Sequence, residues 1–312
     1  MSISEGICQM HPPVSKYSVD EIPDLSGKVI IVTGANAGVG KETVKALLNH
    51  NAKVYMAVRS AEKGAAAIAD LKASTGKEAI FLKLDLADLK SVKAAAAEFI
   101  RKEMQLHVLF NNGGVMTPPI EMVTADGYDL QFGTNVLGHY YFTELLMPLL
   151  ISTAKTSPDG KARVINTSSS TAYMATPLDF ETFKDGPARV KKGTSPLYNQ
   201  SKMGNAIFSA ETARRYGDQG IVSIALNPGN LKSDLQRHMG PVAHFLADRI
   251  LYPTAMGALT QLWAGTSVEG AELSGQWLIP WARVRKEPLE QMQDLALGAK
   301  LWIWLEEQVK NV

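Results

Sequence analysis

The chain has 312 residues, of which 46% are hydrophobic and 20% charged, and its formal net charge is +1. That balance fills a globular core and excludes the strong charge bias expected of a nucleic-acid binder or of a protein with acidic partners. The single cysteine, Cys8, excludes an intramolecular disulfide and reads as the reduced thiol of a cytosolic protein.

Residues 1–26, rich in proline and polar side chains, read as a loosely attached N-terminal arm, and residues 27–312 as one domain. The segment 28–33 (KVIIVT) is a short β-branched strand that runs into glycines, and helical spacing follows over 39–50. A second strand (53–58), an Ala-rich helix (61–74), a third strand (79–84) and a third helix (88–104) come next. The fourth strand, 107–110, leads into Asn111-Asn112-Gly113-Gly114. A long helix over 128–152, a fifth strand over 163–167, a polar loop over 173–196, a helix over 197–216 and a strand over 221–226 complete the regular alternation. The remainder reads as helices around 253–265 and 287–309 with a short strand at 276–279. Apolar strands alternating with helices specify an α/β fold: a single doubly wound, Rossmann-type parallel sheet with helices on both faces. No run of about 18 apolar residues occurs, so no transmembrane segment is expected. The first residues carry no basic start followed by an apolar run, so no secretion signal is expected and the location read from the sequence is cytoplasmic.

The first strand ends in Thr33-Gly34-Ala35-Asn36-Ala37-Gly38-Val39-Gly40. Gly34, Gly38 and Gly40 permit a tight turn and close backbone approach, and the helix N-terminus behind them offers N–H groups to a pyrophosphate. The spacing is GxxxGxG rather than GxGxxG, and a glycine-rich turn that binds nothing is the plain alternative. Position in the fold favours a dinucleotide, because ligands bind where the strand order reverses. The second strand ends Ala57-Val58-Arg59, with no Asp or Glu to take a ribose 2′-hydroxyl; Arg59 suits the 2′-phosphate of NADP, the alternative being a solvated surface charge.

Tyr198 and Lys202 are four residues apart, hence one turn apart on one helix face. A phenol titrates near pH 10 and needs its pKa lowered to work as an acid/base at neutral pH, and a nearby ammonium does this. The fifth strand ends in Thr167-Ser168-Ser169-Ser170, where a serine can hydrogen-bond a substrate oxygen or simply build a turn. Asn135 sits in mid-helix, a mildly unfavourable place unless the side chain is used.

Taken together, Thr33-Gly34…Gly38…Gly40, Asp85-Leu86, Asn111-Asn112-Gly113-Gly114, Asn135, Ser169, Tyr198…Lys202 and Asn227-Pro228-Gly229 occur in the order and at roughly the spacing of the short-chain dehydrogenase/reductase family, which the chain resembles over about residues 27–285. TGANAGVGKET, KVYMAVRS and NVLGHYYFTELL are similar to the branch of retinol dehydrogenases and the WW-domain-containing oxidoreductase. The resemblance implies Tyr198 as general acid/base, Lys202 lowering its pKa and holding the nicotinamide ribose, Ser169 orienting the substrate oxygen (Ser168 being the fallback) and Asn135 completing a proton relay through water. It implies Asp85 and Leu86 at the adenine, Asn111, Asn112 and Gly113 at the adenine ribose, and Pro228, Gly229 and Leu231 on the nicotinamide side. Asn36, Ala37 and Val39 belong to the pyrophosphate turn.

Three features depart from the family pattern. The usual NNAG is NNGG, the stretch from Ser169 to Tyr198 is long, and the N-terminal anchor of retinol-active relatives is absent from the expectation. The long stretch suggests that 173–196, with Met174, Pro177 and Phe183, forms part of the substrate wall. A second substrate segment, 230–250, carries Leu231, Leu235, His238, Met239, Phe245 and Leu246 and suits a lid or an ordinary amphipathic helix. The apolar tail Leu301-Trp302-Ile303-Trp304-Leu305 suits core packing or a homodimer contact better than a membrane, since its flanks are not basic. No cluster has metal-ligand spacing and no GxSxG elbow occurs. The reading is an NADPH-dependent oxidoreductase acting on an apolar, medium-sized ketone, aldehyde or alcohol. Its rivals are a non-catalytic dinucleotide-binding scaffold and an epimerase or dehydratase that uses bound nicotinamide.

Overall fold

The computed structural model describes residues 3–232 and 251–312. Eight strands form one sheet in the order β3-β2-β1-β4-β5-β6-β7-β8. In chain order they are β1 (Val29–Thr33), β2 (Lys53–Val58), β3 (Ile80–Lys83), β4 (Val108–Asn111), β5 (Ala162–Thr167), β6 (Ile221–Leu226), β7 (Trp277–Ile279) and β8 (Arg283–Val284). All neighbours pair in parallel except β7 and β8, so the sheet is doubly wound and parallel with one antiparallel edge ribbon. β7 falls within the strand expected at 276–279, but β8 was not foreseen: two residues carry no periodicity to read.

Strand alternation sends side chains to two cores. Ile31, Tyr55, Leu109 and Val164 enter one, against the helices α4 (Leu89–Lys102), α6 (Gly138–Thr156), α8 (Thr194–Tyr216) and α11 (Leu295–Val309). Ile30, Val32, Met56, Phe110 and Ile165 enter the other, against α2 (Gly38–Asn49), α3 (Ala61–Thr75) and α9 (Thr254–Thr266). With both faces covered, β1 is buried at every position, as a central parallel strand must be. The helices begin where their caps lie: the Ser60 hydroxyl accepts from Lys63 N–H, and the Asp88 carboxylate from the N–H groups of Lys90 and Ser91. No helix among the described residues is long and apolar enough to cross a membrane.

The N-terminal arm is not loose. It opens with α1 (Ile3–Met10), and Tyr17, Ile22 and Leu25 are buried in the second core. The Tyr17 hydroxyl also meets that of Thr266 at 3.2 Å. Its proline and polar content hid three well-spaced apolar anchors. The stretch 173–196 is not an open loop either. It contains 3-10 turns at Ser170–Met174 and Phe180–Thr182, the helix α7 (Pro187–Lys192) and the first turn of α8. Phe183 stacks on Phe132 with ring centroids 3.5 Å apart and is fully buried, so it builds core rather than substrate wall.

The apolar tail packs inward. Trp302 is buried edge-on to Tyr140, 5.1 Å between centroids, with the Arg215 guanidinium 4.5 Å over its ring. Trp302→Ala should lower the unfolding free energy by about 3–5 kcal/mol, the ordinary cost of emptying a large aromatic site. Urea denaturation measures this, and a loss below about 1 kcal/mol would show that α11 is not part of the cooperative core.

Candidate active site

The crevice lies where the strand order reverses. After β1 the chain moves outward through β2 and β3, then returns to place β4 on the other side of β1. The turns leaving β1 and β4 therefore part company, and a cavity of about 470 Å³ opens at the C-terminal ends of the strands.

Thr33 fastens this junction. Its Oγ1 accepts from the N–H groups of Asn112 and Gly113, both at 2.9 Å, and meets His139 Nε2 at 2.9 Å. The Asn112 side chain donates back to Thr33 O at 2.9 Å. His139 Nδ1 lies 2.9 Å from the Asn135 carbonyl, which can only accept, so Nδ1 carries the proton and Nε2 accepts from the Thr33 hydroxyl. Burial holds the imidazole down at about 4 and keeps it neutral. Sequence reasoning missed His139, and i, i+4 spacing to Asn135 is the only signal that pointed to it.

Gly34 and Gly38 have φ of +64° and +57°, which other residues rarely adopt. A Cβ on Gly34 would stand 2.6 Å from Gly113 Cα. The N-cap of α2, Ala37, supplies no side-chain acceptor, so the helix's first N–H groups face the crevice uncapped. Gly34, Asn36, Ala37, Gly38, Val39 and Gly40 all line it. At the far end Arg59, Ser60 and Lys63 stand at the rim, with Val58, Leu84, Asp85 and Leu86 as the wall between. The Arg59 side chain is 72% exposed and only loosely paired with Asp85 at 4.0 Å.

At the other end, β5 and α8 bring the chemistry together. Tyr198, Ser169 and Lys202 line the cavity with Pro228, Gly229 and Leu231. Ser169 beside the Tyr198 phenol holds it down, yet burial prevails and pushes it up to about 12. Lys202, fully enclosed, is drawn down by burial to about 8; its Nζ donates to Thr167 O at 3.1 Å and sits 5.8 Å from the Tyr198 ring centroid. In the free chain the ammonium is thus held by a strand-end carbonyl, and the phenol lies above, not below, its ordinary value. Ser168 Oγ donates to Lys202 O at 2.6 Å, a brace on the helix backbone, while Ser169 Oγ accepts from Thr171 N–H at 3.2 Å.

Two predicted residues stand behind the wall instead of on it. Asn135 lies in a π turn, Gly133–Leu137, that widens the helix between α5 (Leu130–Phe132) and α6. Its side chain pairs with both polar atoms of the Val115 backbone, at 2.9 and 3.0 Å, and donates to Ser201 Oγ at 3.0 Å. Asn111 donates to Thr143 and Asn166, tying β4 to α6 and β5. Met174 and Pro177 do not line the cavity, whereas Val115, Met116 and Leu251, unmarked by any motif, do. Residues 233–250, including Leu235, His238, Met239, Phe245 and Leu246, lie outside the described residues.

The crevice fits a dinucleotide on its own terms. It combines a glycine cradle, an uncapped helix N-terminus, cations at one end and the Tyr198 group at the other. Along it the Thr134 hydroxyl is buried without a hydrogen-bond partner, as expected of a group that awaits a polar ligand.

Comparison with known proteins agrees. The short chain dehydrogenase profile matches residues 28–179. A short-chain dehydrogenase/reductase of Armillaria gallica is 60% identical over 98% of this chain and 97% of its own length. A second from the same fungus is 57% identical over 97% of each chain. Among solved structures, a protein of Mycobacterium paratuberculosis superposes with a TM-score of 0.71 at 26% identity, covering 95% of this chain and 98% of its own.

The buried lysine leaves a signature in stability. An unfolded lysine keeps its proton to above pH 10, while folded Lys202 releases it near 8, so the stability it contributes above the unfolded value is lost as pH falls through 8. Lys202→Met in the cofactor-free protein should therefore raise the unfolding free energy at pH 7 by on the order of 3 kcal/mol, with the gain shrinking between about pH 8 and 10. A gain that does not change with pH in urea titrations would remove the buried charge as its cause.

Proposed function

The chain belongs to the short-chain dehydrogenase/reductase family of oxidoreductases, and from that premise we propose that it is an NADP(H)-dependent carbonyl reductase or alcohol dehydrogenase acting mainly in the direction of reduction. One observation carries the reading: Tyr198, Ser169 and Lys202 converge on one end of a single crevice whose other end is glycine-lined and rimmed by Arg59 and Lys63.

NADPH, when bound, supplies the hydride that the carbonyl carbon receives. The chain's part is the proton and the geometry. Because burial keeps Tyr198 protonated far above neutral pH, the resting side chain already holds the proton that the substrate oxygen needs. Ser169 lines the cavity beside that phenol and would bond the same oxygen, which fixes the carbonyl's direction. Lys202 still carries its proton at neutral pH, and its charge favours the phenolate as the phenolic proton leaves. The same ammonium would hold ribose hydroxyls. Asn135 acts through Val115 and Ser201, steadying the wall and the turn that carries Tyr198. Val115, Met116, Leu231 and Leu251 give the substrate end an apolar lining, which supports a medium-sized apolar ketone, aldehyde or alcohol.

The adenosine end supports NADP over NAD. No carboxylate closes β2 to accept a 2′-hydroxyl, and Arg59 is a guanidinium whose exposed, 4.0 Å pairing with Asp85 is weak enough to exchange for a phosphate.

Tyr198→Phe should lower kcat for carbonyl reduction by about 10²–10⁴-fold and leave NADPH affinity within about threefold, followed by NADPH absorbance across aromatic, steroid, terpenoid and retinoid carbonyls. Undiminished turnover would take Tyr198 out of the mechanism. Arg59→Ala should raise the KM for NADPH about tenfold or more and leave that for NADH nearly unchanged, as loss of one charge-assisted phosphate contact requires. Equal effects on both cofactors would refute a 2′-phosphate contact.

A further inference from the structure

Gln9 belongs to α1, ahead of every strand, yet it is only 3% exposed. Its Nε2 donates to the Tyr173 hydroxyl at 2.8 Å, and its Oε1 accepts from Asn227 Nδ2 at 3.0 Å. Tyr173 lies four positions beyond Ser169 in the 3-10 turn that leaves β5. Its hydroxyl also receives the Trp277 Nε1 proton from β7 at 2.9 Å. Asn227 begins the turn after β6, where its Oδ1 accepts from Gly229 N–H at 3.0 Å and so shapes the Pro228-Gly229 wall of the cavity. One carboxamide thus joins the turn bearing Ser169 to the turn bearing Pro228 and Gly229. An apolar side chain would seal a helix to the domain equally well; a buried amide is tolerated only because both of its ends are bonded, and its bonds run to these two turns.

We infer that Gln9 is a positioning residue and that the N-terminal helix is a strut of the active site, setting the spacing between Ser169 and the Pro228-Gly229 turn and so the fit of the carbonyl substrate. The inference deepens the reductase reading and rests on it. The bonding pattern also says which substitutions the site tolerates. In Gln9→Glu, the buried side chain as a carboxylic acid accepts from Asn227 and donates to Tyr173, as the amide does. Gln9→Ala leaves Asn227 Nδ2 without that acceptor and Tyr173 without that donor.

The test compares the full-length chain with its Gln9→Ala and Gln9→Glu variants by amide hydrogen exchange and by steady-state kinetics. In Gln9→Ala, exchange should quicken by about threefold or more in residues 169–175 and 229–231 but not in 34–41, and kcat/KM for the carbonyl should fall about tenfold, chiefly through KM. NADPH affinity should stay within about threefold, and Gln9→Glu should recover most of both losses. Unchanged exchange in the two turns, or a uniform rise across the domain that Gln9→Glu does not reverse, would overturn the strut. If the wild-type chain reduces no carbonyl at all, the reductase reading falls, while the exchange pattern still decides the strut by itself.

Discussion

The site depends on one junction, where β1 ends between two strands that lead away from it. Its last residue, Thr33, accepts two backbone N–H groups from the turn after β4 and gives its own proton to a neutral imidazole. Because that imidazole's other proton goes to the Asn135 carbonyl, the glycine turn, the β4 turn and the π turn are locked through one hydroxyl. A crevice between diverging strands collapses unless its edges are fixed, and water cannot fix them here, since Thr33 and His139 are both buried. The glycines make the same point from the other side, because Gly34 must stay bare for the β4 turn to pass.

Burial then sets the chemistry. It raises the phenol and lowers the ammonium, so the two groups, nearly matched in water, are driven apart with lysine the more acidic. The expectation that Lys202 depresses the Tyr198 pKa describes a site with its charges in play. In the free chain Lys202 is occupied by Thr167 O, and Ser169 alone works against burial at the phenol. A site that rests as neutral phenol beside an ammonium is prepared to give a proton, and charge on the phenol becomes tolerable only as the proton leaves.

Most of the fold was legible because parallel strands buried on both faces read as unbroken apolar runs, and the helices between them carry ordinary periodicity and caps. That the glycine turn, Tyr198, Lys202 and Ser169 meet at one cavity was legible because each sits at a strand end or on a helix turn that the apolar pattern already places. What was not legible depends on long-range partners. Phe183 looked like wall material and is core, because Phe132 happens to stack on it. Tyr17, Ile22 and Leu25 looked like a loose arm because three anchors spread over a polar stretch show no period. Asn111 was expected at the cofactor by its place after β4; its Nδ2 is given to Thr143 and Asn166, partners no local pattern announces, while its buried Oδ1 has none.

Buried polar groups separate structural from functional positions more sharply than sequence motifs do. Arg163 is buried, but its Nη1 donates to the carbonyls of Ala264 and Ser267 and its Nη2 lies 3.7 Å from Asp159. Arg189 is buried against Asp129 and Asp185 and is likewise satisfied. Such groups fasten helices to the sheet. Along the crevice, the Thr134 and Thr171 hydroxyls have no partner and α2 begins without a side-chain cap. Unpartnered buried oxygens also occur away from the crevice lining, at Asn111, Glu144 and Gln291, so an unmet hydrogen bond does not by itself mark a ligand site. Thr134 and Thr171 differ in lining the same cavity as the glycine turn, and the crevice is read as a binding site from that combination of shape, place in the fold and polar groups that one extended ligand can answer.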